Sequence, residues 1–144
     1  MNSSFLGTKL LSATGDVTPD TALTAPVVAI YFSAHWCPPC RGFTPVLAKL
    51  YEQWNKTKKE IEIIFVSRDK DQTSFDGYFK EMPWLAIPFG EKTVVDQLRA
   101  KYKVTGIPCL VVVDKNGEPL EARARDIVDD QEAKALESFK KLYK

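Results

Sequence analysis

At residues 36–41 the sequence reads Trp36-Cys37-Pro38-Pro39-Cys40-Arg41. Its two thiols lie where an apolar run, Val27–Phe32, gives way to a helical pattern. A Cys-x-x-Cys pair at such a strand-to-helix junction holds both sulfurs within bonding reach and directs the first toward solvent, which is typical of thiol–disulfide exchange. We therefore interpret the rest of the chain as a scaffold that presents this loop.

The hydrophobic pattern on either side of the loop predicts alternating strands and helices. Val27–Phe32 is a continuous apolar run, as in a central strand covered on both faces, Ile61–Val66 is predicted to be a second buried strand, and Phe43–Trp54 has helical apolar spacing. The other segments are a strand within 5–14, a connector at 19–26, helices near 75–82, 94–102 and 133–143, a strand at 109–113 and its return strand at 119–125. This order predicts an α/β fold: a central mixed β-sheet flanked by helices on both faces, with a C-terminal β-hairpin and helix.

Length, charge and cysteine content narrow the class of protein. The 144 residues, 44% apolar and 27% charged, fit a single domain, 1–144. A net charge of +1 favours neither direct nucleic-acid binding nor membrane binding. Three cysteines, no signal-peptide pattern and no run of transmembrane length indicate a reducing compartment. We expect a cytoplasmic protein that is also small enough to enter the nucleus.

Four segments of the chain carry a family resemblance. They are Tyr31–Pro45, which includes the two cysteines, then Phe75–Phe79, Met82–Phe89 and Gly106-Ile107-Pro108. Together they resemble the thioredoxin superfamily, and within it the tryparedoxin and nucleoredoxin branch. The resemblance spans roughly residues 27–125 and implies the thioredoxin fold. It also implies a protein-disulfide reductase of cell redox homeostasis that needs no cofactor besides its own redox-active disulfide.

Cys37 and Cys40 are the predicted catalytic residues. If the helix begins at Pro39, Cys37 lies at its N-terminus, where unpaired N–H groups and the helix dipole stabilise a thiolate. Cys37 would open a substrate disulfide, and the shielded Cys40 would then attack Cys37, release the substrate and close the internal bond. An upstream thiol reductant would reopen that bond.

Three neighbours of the thiols are predicted to tune the redox chemistry. Pro38 and Pro39 stiffen the loop and remove two amide donors. Arg41 could favour the thiolate or bind a substrate carboxylate, or it could be a plain surface cation.

The resemblance further implies a surface for disulfide-containing protein substrates. Ile107 and Pro108 resemble the superfamily's cis-proline segment, which packs against the dithiol and offers its backbone to an extended substrate chain. Trp36 could form a flat apolar rim for docking, or it could pack against the sheet edge. The nucleoredoxin side of the branch implies signalling proteins or transcription factors as substrates.

Two departures from the family pattern affect the expected mechanism and substrate. Tyr31 stands where many thioredoxins have a buried acid that accepts the proton of the resolving thiol, so water or another group must take that task. Arg68-Asp69-Lys70 replaces a Trp-Asp-Glu-like stretch of tryparedoxins, which argues against a trypanothione-specific role. Arg68 or Asp69 could still lie near the dithiol, but we expect their charges to be solvated in a loop.

Several further side chains have both a functional and a structural interpretation. Cys109 follows Pro108 where the family commonly has threonine, and it is either a candidate regulatory thiol or a small residue that opens a buried strand. His35 is expected to be an exposed spectator. Arg123 and Arg125 match a basic pair on the family's closing strand.

Two other functions remain open on the sequence alone. Cys37, Cys40, Cys109 and His35 have the ligand types of a Cys3His zinc site, but zinc sites usually have two separated ligand pairs, so we predict no metal. The dithiol could also gate the affinity of a binding module without catalytic turnover.

Overall fold

Seven strands form one mixed sheet in the computed structural model, which describes residues 2–143. The strands are β1 (Leu10–Ser12), β2 (Gly15–Val17), β3 (Val27–Ser33), β4 (Ile61–Ser67), β5 (Leu85–Ala86), β6 (Cys109–Val113) and β7 (Pro119–Glu121). Their spatial order is β2-β1-β5-β4-β3-β6-β7, with β3 parallel to β4 and antiparallel to β6. The predicted mixed sheet is confirmed, and residues 1 and 144 of the predicted domain lie outside the described residues.

Six α-helices accompany the sheet within residues 2–143. They are α1 (Pro19–Ala22), α2 (Pro38–Trp54), α3 (Gln72–Phe79), α4 (Lys92–Lys101), α5 (Ala124–Gln131) and α6 (Ala135–Lys140). Two short 3-10 helices span Ser4–Leu6 and Glu132–Lys134. None of these helices is long and apolar enough to cross a membrane.

The central strand β3 divides the hydrophobic core into two layers. All seven of its residues are buried, and because side chains alternate along a strand, they point to both faces of the sheet. Val27, Ala29 and Tyr31 pack in the layer that contains residues of α2, α3, α5 and α6. Val28, Ile30 and Phe32 pack in the opposite layer with residues of α1 and α4. Helices therefore cover both faces, as predicted. The loop of the two cysteines follows β3 and lies at the C-terminal ends of the parallel strands β3 and β4.

Four segments differ from the structure predicted by the sequence. The segment 5–14 forms a 3-10 turn followed by β1, whose antiparallel partner is β2, and the connector at 19–26 contains α1. The return strand ends at Glu121 instead of Arg125, because Ala124 and Val128 bury one face of a helix, α5. The predicted last helix, near 133–143, is shorter than expected: the 3-10 turn Glu132–Lys134 comes first, and α6 spans Ala135–Lys140. Glu132 has a φ of 50°, a left-handed conformation that ends α5.

Candidate active site

The loop between β3 and α2 places Cys37 at the N-cap position of the helix. Pro38 and Pro39 occupy the first helical positions, where their missing N–H groups cost no intrahelical hydrogen bond. The Cys37 backbone is extended, and its Sγ accepts a hydrogen bond from the Cys40 backbone N–H at 3.4 Å. An amide donor directed at the sulfur, together with the helix dipole, stabilises negative charge on Cys37. The helix thus begins one residue earlier than the sequence suggested, which leaves Cys37 at the helix terminus.

The two thiols differ in burial. Cys37 retains 4% of its surface and borders a cavity of about 470 Å³, whereas Cys40 is fully buried behind it. Burial raises the pKa of Cys40 to about 11, helped by a hydrogen bond with the Cys37 side chain, while hydrogen bonds from Ser33 and Ala34 partly oppose this rise. Cys40 is consequently a neutral thiol near pH 7, and the outer Cys37 is the sulfur that a substrate can reach.

The segment Ile107-Pro108 lies against the dithiol and contains a cis peptide bond, the isomer that the resemblance implies. The Cys37 thiol faces the Ile107 carbonyl oxygen at 3.8 Å, and Ile107 packs with Ala34, Cys37 and Cys40. Pro108 is buried beside them, and Ile107 is half-buried. The predicted substrate-binding segment is therefore next to the nucleophile.

Trp36 is attached to a neighbouring segment and is also half exposed, and its role in docking stays a prediction. Its indole Nε1 donates a hydrogen bond to the Arg68 carbonyl at 2.9 Å, which ties the ring to the segment after β4. At the same time 51% of the residue is exposed, and Lys70 Nζ lies 5.9 Å from the ring centroid. The ring is held in place beside Cys37 and keeps an open apolar surface.

Asp69 connects the end of β4 to the loop before Cys37. It is only 7% exposed, and its carboxylate accepts hydrogen bonds from the His35 backbone N–H at 2.8 Å and from the Ser67 hydroxyl at 2.7 Å. The expectation of a solvated loop charge is therefore wrong for Asp69, because these donors replace its hydration. Arg68 is half-buried and borders the same cavity as Cys37, so it too departs from that expectation.

The loop is held from its other side by Arg41. The Arg41 Nη1 donates a hydrogen bond to the His35 carbonyl oxygen at 2.7 Å. His35 itself is exposed, as predicted, and it contributes to the site through its backbone groups. Arg41 thus fixes the turn that precedes Cys37, in addition to any redox effect of its charge.

Four buried hydroxyl groups form a chain that ends next to Cys40. Tyr31 OH lies 2.6 Å from Thr44 Oγ1, Thr44 Oγ1 lies 2.6 Å from Tyr78 OH, and Tyr78 OH lies 2.7 Å from Ser33 Oγ. Burial raises the pKa of both Tyr31 and Tyr78, so both phenols are neutral. A network of neutral hydroxyls thus occupies the place where many thioredoxins have a carboxylate.

Sequence reasoning found Tyr31 but missed the other three members of this network. The available signal was a polar residue at a buried position: Ser33 ends an apolar strand, and Thr44 lies on the apolar face of α2. Tyr78 was assigned to the core by its helical spacing, and its hydroxyl partners are 34 and 45 residues away.

The third thiol, Cys109, opens β6 and is half-buried. It packs with the layer that contains Phe32, its partner in register, whereas the dithiol packs with Ala34 and Ile107. Burial raises the pKa of Cys109, and the Arg125 guanidinium partly opposes this rise. Cys109 also borders a second cavity of about 340 Å³. Its regulatory role stays a prediction.

Arg123 and Arg125 border that second cavity from α5 and its N-terminal cap, not from a closing strand. Arg125 Nη1 donates a hydrogen bond to the Pro108 carbonyl oxygen at 3.3 Å, and Arg123 forms an exposed salt bridge with Asp126 at 2.8 Å. Because helix α5 replaces the predicted strand here, only Arg125 reaches the cis-proline segment.

The zinc alternative lacks the necessary geometry. Within residues 2–143, no three His, Cys, Asp or Glu side chains are grouped so that they could hold a metal ion. In particular, Cys37, Cys40, Cys109 and His35 do not form such a group. The fold and the paired thiols instead define a thioredoxin-fold protein with a dithiol at the start of a helix.

Comparisons with known proteins agree with this class. The thioredoxin-like family model matches residues 26–119. Danio rerio nucleoredoxin is 42% identical over 122 residues, which are 84% of this chain and 29% of that protein, and Trypanosoma brucei brucei tryparedoxin is 41% identical over 125 residues, 85% of each chain. The solved structure of tryparedoxin II complexed with glutathionylspermidine has a TM-score of 0.83, 33% identity and coverage of 90% and 92%. The chain belongs to the thioredoxin-like family, in its tryparedoxin and nucleoredoxin branch.

The two kinds of relative differ in length. The chain spans less than a third of nucleoredoxins such as that of Danio rerio, but 85% of the Trypanosoma brucei brucei tryparedoxin.

Proposed function

We propose that the protein is a thiol–disulfide oxidoreductase that reduces protein disulfides through Cys37 and Cys40. The observation that carries this proposal is the asymmetry of the two sulfurs. Cys37 caps α2, accepts the Cys40 amide and borders an open cavity, whereas Cys40 is fully buried and protonated. One sulfur is placed to attack and the other to resolve.

In the first step, the Cys37 thiolate attacks a sulfur of the substrate disulfide. A bond forms between Cys37 and that sulfur, the substrate S–S bond breaks, and the second substrate sulfur leaves as a thiolate that takes a proton from water. The Ile107 carbonyl beside the Cys37 sulfur, together with the exposed face of Trp36, borders the space that this substrate chain enters.

In the second step, Cys40 loses its proton and attacks Cys37. The Cys37–Cys40 bond forms, the mixed disulfide breaks, and the remaining substrate sulfur leaves with a proton, so that one disulfide has become two thiols. The Ser33 hydroxyl stabilises the charge that develops on the Cys40 sulfur, because a hydrogen bond to a charged group is stronger than one to a neutral group. Thr44 and Tyr78 hold Ser33 in this position.

An upstream thiol reductant then reopens the Cys37–Cys40 disulfide and completes the cycle. A relative in this branch has been solved in complex with the small thiol glutathionylspermidine, which supports a low-molecular-weight or protein thiol as reductant. The likeness to nucleoredoxins supports signalling proteins or transcription factors as substrates, with the cytoplasm and the nucleus as the place of action.

The test is the reduction of insulin driven by dithiothreitol. The wild-type protein should accelerate the reaction, Cys37→Ser should abolish the acceleration, and Cys40→Ser should accumulate a mixed disulfide with insulin. Cys109→Ser is the matched control, since it also removes a thiol and should retain catalysis. If the reduced and oxidised forms of the wild type bind a partner with different affinity but the protein shows no catalysis, the redox-gated binding module is the function instead.

A further inference from the structure

The cavity beside Cys37 contains two basic side chains that the dithiol reaction does not need. Arg68, just after β4, and Arg99, in the last turn of α4, both line this cavity together with Trp36, Cys37 and Ile107. The sequence predicts a solvated loop charge for Arg68 and does not single out Arg99. Their charges therefore need a separate explanation.

The positive charge of Arg99 makes the charged form of Arg68 less favourable. The pKa of Arg68 is lowered by burial and by the charge of Arg99, and the Asp96 carboxylate offsets this only in part. None of the salt bridges formed within residues 2–143 involves Arg68 or Arg99, and neither guanidinium donates a hydrogen bond to a described residue. Two partly buried guanidinium groups that form no salt bridge to a described residue, with Asp96 as a nearby charge only, leave donor groups available to a ligand.

The position of Arg68 is fixed by its own backbone. Its N–H donates to the Ser33 carbonyl at 2.9 Å, and its carbonyl accepts the indole N–H of Trp36 at 2.9 Å. These bonds connect Arg68 to the end of β3 and to the ring beside the nucleophile. A ligand held by Arg68 would therefore lie in the cavity that Cys37 borders.

We propose that Arg68 and Arg99 form an anion-binding subsite, which receives a carboxylate that a peptide substrate carries close to its reactive cysteine. The inference rests on the proposed function, because it assigns a substrate class to the same site. The guanidinium fork matches the two oxygens of a carboxylate, and a pair of forks excludes a cationic residue at the same place. The Lys70 ammonium near Trp36 extends the positive charge in the same direction.

The first experiment compares two small disulfide probes that need no catalytic turnover. One is 5,5′-dithiobis(2-nitrobenzoate), which carries two carboxylates, and the other is the neutral 4,4′-dithiodipyridine. In each reaction the Cys37 thiolate forms a mixed disulfide and expels one aromatic thiolate or its thione, and Cys40 then expels the second while it closes the internal bond. Initial rates are measured with a Cys109→Ser background, so that only the dithiol reacts.

The variants are Arg68→Ala, Arg99→Ala and the double variant, with Lys49→Ala as control. Lys49 is exposed on α2, eleven residues after Pro38, and its removal changes the net charge by the same amount as each single arginine variant. We expect the double variant to slow the dianionic probe about tenfold, as for the loss of one charge-assisted hydrogen bond, and to leave the neutral probe within about twofold. The unchanged neutral rate would also show that the variant folds with an intact Cys37. Equal effects on both probes, or an equal effect of Lys49→Ala, would overturn the proposal.

Peptide disulfides then identify the source of the carboxylate. One peptide has Glu beside its cysteine and an amidated C-terminus, a second has Gln there and a free C-terminus, and a third has Gln and an amidated C-terminus. A higher kcat/KM for the first peptide, lost in Arg68→Ala, supports a side-chain carboxylate. Equal values for all three peptides reject the subsite for peptide substrates.

The same measurements separate the two proposals. Absence of insulin reduction with a retained preference for the dianionic probe would reject the oxidoreductase and keep the subsite. Normal insulin reduction with no preference for the dianionic probe would reject the subsite and keep the oxidoreductase.

Discussion

The burial of Cys40 should make the resolving step strongly dependent on pH. The pKa of this thiol is raised to about 11, so at pH 7 only about one molecule in ten thousand carries the Cys40 thiolate that attacks, and at pH 9 about one in a hundred. The rate of resolution should therefore rise about tenfold for each pH unit between pH 6 and pH 8.

The state that reacts differs from the free dithiol in one respect. In the mixed disulfide, Cys37 no longer offers the hydrogen bond and the charge that contribute to the raised pKa of Cys40. Burial, the largest contribution, remains, so the plateau of the rate should begin below pH 11 but above the ordinary cysteine pKa of about 8.5.

A pH-jump experiment measures this step by itself. Cys37 is first converted to a mixed disulfide at about pH 4 with an activated pyridyl disulfide in a Cys109→Ser background, and resolution is then started by mixing into buffers of pH 6 to 10. Product release and the fluorescence of the adjacent Trp36 report the rate, and Cys40→Ser provides the blank. A rate that is independent of pH between 6 and 8 would refute the argument that burial keeps Cys40 protonated.

Three further predictions concern the surroundings of the dithiol. Ser33→Ala should slow resolution at pH 7 about tenfold, because it removes the hydroxyl that lowers the pKa of Cys40; an unchanged rate in the same pH-jump assay would exclude that role. Asp69→Ala should cost about 1–3 kcal/mol of unfolding free energy, since it leaves the His35 N–H and the buried Ser67 hydroxyl without their acceptor, and thermal denaturation should show a fall of about 3 °C per kcal/mol; Lys70→Ala, an exposed neighbour, is the control. Stability to urea should fall as the pH rises from about 9 to 11, because Cys40 and the buried tyrosines must stay protonated in the folded protein whereas the unfolded chain releases these protons; equal stability at pH 8 and 10.5 would contradict this.

The central part of the fold could be predicted because its signals are local. Val27–Phe32 is an uninterrupted apolar run, Ile61–Val66 is apolar except for Glu62, and both lie in strands buried along their whole length. The apolar face of α2 also follows from spacing alone. The two cysteines lie between these elements, so their place at a strand-to-helix junction required no long-range information.

The polar part of the site depends on partners that are distant in the sequence. Asp69 stands in a charged stretch that has the composition of a loop, and its burial is explained by the His35 amide 34 residues earlier. The hydroxyl network likewise joins Ser33 and Thr44 to Tyr78, on separate elements. No periodicity indicates such pairs, because they form only when the sheet brings the ends of β3 and β4 together.

The errors at the C-terminal end have a different cause. Residues 119–125 follow a clear turn at Asn116-Gly117, so the sequence favours a long return strand. Pairing stops at Glu121, after a register irregularity at Val112 and Val113, and α5 then covers the sheet. The turn signal favours a strand in this segment, and an overlapping helical pattern favours a helix. The helix forms because it buries Ala124 and Val128, which is a tertiary effect.

The residues after β4 have two different roles in the proposed function. One of them holds the loop of the nucleophile, and the others set the charge beside the substrate cavity. Asp69 points inward and fixes the loop that holds Cys37, whereas Arg68 borders the substrate cavity and Lys70 lies over the face of Trp36. Tryparedoxins resemble this chain in having an acid as the middle residue of this segment, which is the position of Asp69. The loop geometry requires an acid at this position, because Asp69 accepts the hydrogen bond of the His35 N–H. A change at 68 or 70 can alter the charge presented to a substrate without moving the nucleophile, whereas a change at 69 would disturb the loop itself. It follows that Arg68→Ala should change which disulfides are reduced, and Asp69→Ala how well any of them is reduced.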